Sequence, residues 1–484
     1  MTTPLLSPDL TPAPGPETVV PARPSLLKIG LLAIVALMVA GLAVVFFDGV
    51  APSLPLALVG GLGLIGLVAL AVGRYEAAVF LGFLLSGVVK IEPAPPDGIF
   101  AVIIAIAIVT GRLRLDRVPA PIAVVLGGLV ALNVLSFAAA ESIGGAVRFA
   151  AITLYLAVFA VWLAGYADSE RRGRGIVIAW LWIAVISAIL GTLALQLPSF
   201  PLREQLVAYD ATRASALFKD PNVYGPFLIP IAVILLEEMI SPRLLRIRMF
   251  TGFVLLGILM VGLIFSFSRA AWANMLLSTA VMFTILLLRR RHMGRMAIVL
   301  GGMGIVAMAV LAVIVFSGQA DFIGQRAQLQ QYDSERFGAQ RAGVEIASHY
   351  PFGVGPGQFQ YHHPVESHST YVRVLAEQGP FALALWITMC LLTLGLAIGN
   401  ALAGRTAAGI GSAALLGSWC GLLFNSVVVD TLHWRHLWVV LGLIWAAAMI
   451  GQTSRARDND RRAFNEPSDR YDAPPPPVIP VGRV

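Results

Sequence analysis

The sequence has few cysteines and few charged residues for its length. Two of its 484 residues are cysteines, Cys390 and Cys420, and both lie inside apolar runs. They give neither a disulfide framework nor the CxxC pattern of a metal site. Neither a Walker A motif nor a GxGxxG run placed after a strand is present, so no nucleotide-binding loop is indicated. Charged residues make up 13% of the chain, whereas a soluble domain carries about 25%.

Long apolar runs take the place of these features. The chain is 58% hydrophobic and its mean hydropathy is +0.81. Runs of about 20 residues, the length needed to cross a bilayer, recur almost from end to end. We expect spans at 27–47, 52–73, 76–90, 98–111, 119–139, 144–165, 175–197, 222–240, 247–267, 270–288, 296–318, 380–398, 407–428 and 433–451. The third and fourth are short and could form one re-entrant hairpin, so the prediction is an all-α polytopic membrane helix bundle of about 12–14 transmembrane helices.

The two ends of the sequence differ in composition from this membrane domain, which we place at 27–451. Residues 1–26 are rich in proline and threonine and lack the basic start and A-x-A site of a signal peptide. Residues 452–484 are charged and proline-rich. Both segments are predicted to be disordered tails.

The arginines fall in alternate loops, which predicts the orientation of the chain. The net charge of +7 is divided among short clusters between apolar runs; it does not form one basic face, so no nucleic acid partner is expected. Short loops retained in the cytoplasm are enriched in Lys and Arg. Both tails should therefore lie on the cytoplasmic side with the loops that hold Arg74, Arg112, Arg114, Arg117, Arg171, Arg172, Arg174, Arg243, Arg246, Arg248, Arg289, Arg290, Arg291, Arg295 and Arg405.

Two long loops are expected on the opposite, outer side, at about 198–221 and 319–379. The second contains "ERFGAQRAGVEIASHYP", which has helical spacing, and then the glycine-rich turn "GVGPGQF". The following "HSTYVRVLAEQG" predicts another helix, with Ser367 as N-cap and Gly379 just past its end. Loops of this length with local structure are usually functional.

Arginine and histidine dominate the polar residues of the outer side. Arginine is suited to bidentate binding of phosphate oxygens, and a neutral histidine can accept a proton from a hydroxyl. His362, His363, Glu366 and His368 also carry metal-ligating atoms, but their order is not H-E-x-x-H and no partner run of ligands accompanies them. We therefore predict neither a metal site nor another cofactor.

Four segments, in order, resemble the superfamily of O-antigen ligases and O-antigen polymerases, which are bacterial membrane glycosyltransferases. The segments are "TRASALFKDPNVYGPFL", "FSFSRAAW", "HYPFGVGPGQF" and "HSTYVRVLAEQG". They span about residues 205–385. Each is weakly specific by itself, and the specificity comes from their order and their shared side of the membrane.

The resemblance implies inverting, metal-independent glycosyl transfer on the periplasmic face of the inner membrane. The donor would be a glycan on undecaprenyl pyrophosphate. The acceptor would be lipid A-core for a ligase, or another lipid-linked glycan for a polymerase. His368 matches the histidine that activates the acceptor, and Arg213 and Arg269 match arginines that bind the donor pyrophosphate. Further candidates for substrate binding are Arg336, Arg341 and Arg435.

The ligase is favoured because the His-Ser-x9-Gly segment is the best match. The polymerases' spacing of arginine, ten residues and glycine is not met, since Gly225 lies one residue too far from Arg213. A transporter or flippase of lipid-linked glycan is the rival from another class. Transporters carry ionisable residues within their spans, but here Glu76 and the Glu237–Glu238 pair lie near span ends.

Overall fold

The computed structural model describes residues 54–449 except 91–93, 210–211 and 329–330. The predicted span 27–47 and both predicted tails lie outside these residues. Each of the other thirteen predicted spans coincides with an apolar helix. The predicted all-α class is therefore confirmed.

The helices are numbered here in chain order. They are α1 (Leu54–Gly73), α2 (Tyr75–Leu84), α3 (Pro95–Val109), α4 (Ala120–Leu135), α5 (Ile143–Tyr166), α6 (Glu170–Gln196), α7 (Arg203–Leu206), α8 (Pro221–Ile240), α9 (Met249–Phe265), α10 (Arg269–Leu288), α11 (Met293–Phe316), α12 (Ala320–Ala327), α13 (Gln331–His349), α14 (Phe359–His362), α15 (Thr370–Leu402), α16 (Ser412–Val428) and α17 (Arg435–Met449). Two short antiparallel pairs join β1 (Val207–Ala208) to β2 (Arg213–Ala214) and β3 (Thr406–Ala407) to β4 (Ile410–Gly411).

Seven of the described helices are long and apolar enough to cross a membrane. They are Ala120–Ala139, which includes the 3-10 turn after α4, and α5, α6, α8, α10, α11 and α15. The other apolar helices, α2 and α3 among them, have shorter described apolar segments of 10–17 residues. The chain is a multi-pass membrane helix bundle, and its number of spans stays a prediction.

Helix α8 forms the centre of the bundle, with 94% of its apolar window buried. It packs against α6, α9, α10 and α16. Helices α10 and α16 approach closely because glycine faces the contact: a Cβ at Gly421 would overlap Asn274. Small residues at such crossings let helix backbones meet in a membrane protein.

The two ends of α8 mark the two ends of the bundle. At its last turn, the Glu237 carboxylate accepts a hydrogen bond from the Ala414 amide at 2.7 Å and lies 3.3 Å from the Arg243 guanidinium. This end carries the arginine-rich loops. At its first turn, Asp220 caps the helix by accepting from the Asn222 amide at 2.7 Å. This second end carries the segments 198–221 and 319–379, and it is called here the long-loop end.

Helix α13 and the glycine-rich turn are present as predicted. Gly353, Gly355 and Gly357 all have positive φ, at 79°, 101° and 69°. The prediction of Ser367 as the N-cap is wrong. Helix α15 begins at Thr370, and the Ser369 hydroxyl accepts from the Val372 amide, because His368 takes a positive φ of 45° that ends any helical path through it.

The predicted helix end at Gly379 is a kink inside α15. Gly379 has a φ of 87°, and the helix resumes at Pro380 and runs to Leu402. Glycine adopts this φ without a Cβ clash, and proline is tolerated in the first turn after such a break. The loop helix and the span that follows it are therefore continuous.

Candidate functional site

His368 lies half-buried at the long-loop end, two residues before α15. Burial and the positive charges of Arg336 and Arg373 lower the pKa of its imidazole below the ordinary value, while Asp220 and Asp430 act in the opposite direction. These effects favour the neutral imidazole, which is the form that can accept a proton.

Arg213 lies in β2 and is held by the elements around it. Its Nε donates to the Ser266 carbonyl at 2.9 Å, and its Nη2 donates to the Asn222 Oδ1 at 3.0 Å. The guanidinium lies over the Tyr209 ring, 5.1 Å from its centroid. Arg213 thus joins the end of α9 to the start of α8 and is only 6% exposed.

The pKa of Tyr209 is affected by the charged groups around Arg213. Burial and Asp220 raise the pKa of its phenol, and Arg213, Arg336 and Arg326 lower it. Arg336 acts on both Tyr209 and His368. The structure therefore places Arg336 near both Tyr209 and His368 at the long-loop end, with Arg213 beside Tyr209.

Arg269, the first residue of α10, is bound to α13. Its Nη2 lies 2.6 Å and 2.9 Å from the two carboxylate oxygens of Asp333, and its Nη1 donates to the Gln328 carbonyl at 2.9 Å. Asp333 and Arg336 are three residues apart on α13, so they share one face of the helix. Arg269 positions the helix that carries Arg336.

Arg373 is the centre of an acidic cluster beside His368. Its Nη1 lies 2.7 Å from the Asp430 carboxylate and its Nε lies 3.7 Å from that of Glu377. Glu366 is a third partner. Glu377 in turn accepts from the amide of Gly357 at 2.8 Å and from that of Phe359 at 3.3 Å. The cluster ties α15 to the glycine-rich turn and to the segment before α17.

A family model described as O-antigen ligase matches residues 252–387. The resemblance to the O-antigen ligase superfamily is confirmed. The matched residues, called here the O-antigen ligase segment, run from α9 into α15 and include Arg269, Arg336, Arg341 and His368. No curated protein matches the chain. The family supports a function of the ligase or polymerase type, which uses a lipid-linked glycan and an acceptor.

Two candidate arginines differ from the others in their surroundings. Arg341, inside the O-antigen ligase segment, is exposed on α13 and is not among the charges that act on His368. Arg435, beyond the segment, starts α17 and forms an ion pair with Asp97 at the start of α3, with 2.6 Å between Nε and Oδ1. Their proposed roles in substrate binding stay predictions.

The remaining histidines at this end have contacts of their own. His362 Nε2 lies 3.7 Å from the Glu141 carboxylate, and His363 Nδ1 lies 2.8 Å from the Val365 carbonyl. His433 Nε2 lies 2.9 Å from the Thr153 hydroxyl. Within the described ranges, groups of three or more His, Cys, Asp or Glu side chains suited to a metal ion are absent.

The roles of Arg373, Asp430 and Asp220 were not predicted from the sequence. The carboxylates of Glu366 and Glu377 both pair with Arg373. The Arg373–Glu377 spacing of four residues in a predicted helix was a usable signal for an ion pair. Nothing local pointed to Asp430, which lies 57 residues from Arg373 in the chain.

Proposed function

We propose that this protein transfers a glycan from undecaprenyl pyrophosphate to a sugar hydroxyl, and that it is an O-antigen ligase joining O-antigen to lipid A-core. The observation that carries the proposal is the position of His368. It is half-buried, favours the neutral form, and shares the long-loop end with Arg213, Arg269 and Arg336. Its place in the O-antigen ligase segment supports the same reaction.

In the proposed reaction, His368 takes the proton of the acceptor hydroxyl while the oxygen of that hydroxyl attacks the anomeric carbon of the donor sugar. The bond between that carbon and the pyrophosphate oxygen breaks on the opposite face, so the configuration inverts. Its electron pair leaves with the pyrophosphate. Arg213, Arg269 and Arg336 stabilise the negative charge that develops there. Pyrophosphate is already a good leaving group, so positioning and one base supply the remaining catalysis.

We further propose that this site faces the periplasm and that the protein resides in the bacterial inner membrane with both termini in the cytoplasm. The distribution of arginines supports this orientation. The arginine-rich loops and His368 lie at opposite ends of α8, since Glu237 pairs with Arg243 at one end and the charge of Asp220 acts on His368 at the other.

The test is complementation of a strain that lacks the protein, read on a gel of surface glycans. Wild type restores the glycan ladder on lipid A-core, and His368→Ala and Arg269→Ala are expected to leave unmodified core. His349→Ala is the matched control, because this histidine is exposed and bonds within α13. Full rescue by His368→Ala contradicts the proposal. If the variants instead leave single glycan repeats attached to core, ligation still occurs and only polymerisation is lost. The protein would then be a polymerase.

A second experiment addresses the proposed chemistry directly. Purified protein receives a lipid-linked glycan and an acceptor, with and without EDTA. The proposal expects transfer at an unchanged rate in EDTA, with the opposite anomeric configuration in the product. Loss of transfer that added Mg²⁺ or Mn²⁺ restores would contradict metal-independent catalysis.

A further inference from the structure

A cavity of about 670 Å³ lies at the arginine-rich end of the bundle, between the α1–α2 junction, the end of α3, the end of α5 and the start of α6. It is called here the arginine pocket, and Arg74, Arg112, Arg114 and Arg172 line it. Helix α6 starts beside it and its other end packs against β2, the strand that holds Arg213, since a Cβ at Gly191 would contact Ala214. A helix of 27 residues is roughly 40 Å long. The arginine pocket is therefore separate from the His368 site.

The positive charges of the arginine pocket are only partly balanced. Arg172 pairs with Asp168 at 2.9 Å and with Glu76 at 3.2 Å, and Arg114 pairs with Asp116 at 2.9 Å. Arg74 and Arg112 are exposed. In the part of the chain that the structure describes, neither forms an ion pair. The guanidinium groups of Arg74 and Arg112 can therefore bind an anion at the mouth of the pocket.

The wall of the pocket is aromatic and internally bonded. Trp162 Nε1 donates to the Tyr75 hydroxyl at 2.8 Å, and the Trp162 ring stacks on Tyr166 at 5.1 Å between centroids. Arg112 lies over Tyr75 and Arg172 over Tyr166, each 5.0 Å from the ring centroid. Tyrosine, tryptophan and arginine at helix ends are typical of the lipid headgroup level.

Exposed aliphatic side chains continue from the pocket onto the helix surface. Ile108, in the last turn of α3, is 56% exposed, and Leu115, next to Arg114, is 66% exposed. Such side chains are suited to contact acyl chains. A soluble phosphate would make no use of them, so they favour a lipid as the source of the anion.

We propose that the arginine pocket binds a phosphate-bearing anion, and that this anion is the headgroup of an anionic phospholipid. Basic pockets between membrane helices are suited to such headgroups. Arg74 and Arg112 contact the phosphate oxygens, and the aromatic wall holds Arg112 and Arg172 in place. The acyl chains lie along Ile108 and Leu115.

The test uses the purified full-length protein and measures lipid binding by native mass spectrometry. The probes are phosphatidylglycerol, phosphatidylcholine and inorganic phosphate. Phosphatidylglycerol is expected to bind more tightly than phosphatidylcholine. Arg112→Gln and Arg74→Gln should each weaken its binding about fivefold, because one arginine near an anionic lipid contributes about 1 kcal/mol. Arg112→Lys should retain most of the affinity.

The control is Arg295→Gln, which removes an exposed arginine at the start of α11, at the same end but outside the pocket. It should leave phosphatidylglycerol binding unchanged. Unchanged binding by both pocket variants, or an equal loss in Arg295→Gln, would overturn the proposal. Inorganic phosphate that displaces the lipid completely at a similar concentration would overturn the assignment to a lipid headgroup and leave free phosphate as the ligand.

Discussion

Arg269 and Asp333 join α10 to α13, with the Arg269 Nη2 2.6 Å and 2.9 Å from the two carboxylate oxygens. Arg269 is one of the arginines proposed to bind the donor pyrophosphate. The same guanidinium therefore has a carboxylate partner, and it holds the helix that carries Arg336. If Arg269 binds the donor as proposed, donor binding and the placement of α13 are coupled through this one side chain.

Asp333→Asn tests this coupling. Loss of the carboxylate should loosen α13, because one partner of a largely buried ion pair is left without its counter-charge. Amide hydrogen exchange in α13 is expected to become about tenfold faster, which corresponds to about 1.4 kcal/mol of local stability. Arg341→Gln, an exposed change on the same helix, is the control and should have no effect. Equal exchange in Asp333→Asn and wild type would contradict a positioning role for the pair.

The pH dependence of transfer should report on Arg336. Burial and this arginine lower the pKa of His368, so the neutral base persists to lower pH than an ordinary histidine allows. The rate should fall as the pH drops through the pKa of His368. Arg336→Gln removes a positive charge, raises that pKa and should move the acid limb of the kcat/KM profile to higher pH.

The control for the pH experiment is again Arg341→Gln, which removes an equal charge that does not act on His368. Its acid limb should coincide with that of wild type. An acid limb that does not move in Arg336→Gln, or that moves to lower pH, would show that the titrating group is not His368 or that Arg336 does not act on it.

Hydropathy was enough to locate the described membrane helices. A helix that crosses a bilayer must be long and apolar, and a run of apolar residues is visible in the local sequence. The glycine-rich turn and α13 were also local patterns. The Arg373–Asp430 pair and the Arg435–Asp97 pair were not predictable in this way. Arg435 and Asp97 are 338 residues apart, and only the tertiary fold brings them together. The predicted start of α15 was misplaced, because Ser367 and Ser369 are equally suitable N-cap residues by type.

Gly379 and Gly395 give a matched pair within α15. Gly379 has a φ of 87°, and a Cβ there would collide with the Pro351 carbonyl. Gly395 is helical and a Cβ there meets open space. Gly379→Ala should therefore destabilise the protein by more than about 1 kcal/mol and lower its melting temperature. Gly395→Ala should leave the melting temperature unchanged or raise it. Equal melting temperatures for the two variants would show that the kink does not need glycine.

Variants of Arg435 and Asp97 can distinguish a structural role of Arg435 from a role in donor binding. If its ion pair with Asp97 is what matters, Arg435→Gln and Asp97→Asn should each lower stability by about 1–3 kcal/mol, and the double variant should lose little more than either one, because both changes remove the same interaction. The KM for the lipid-linked donor should then rise no more in Arg435→Gln than in Asp97→Asn. A rise in KM that is specific to Arg435→Gln and persists in the Asp97→Asn background would instead place Arg435 at the donor.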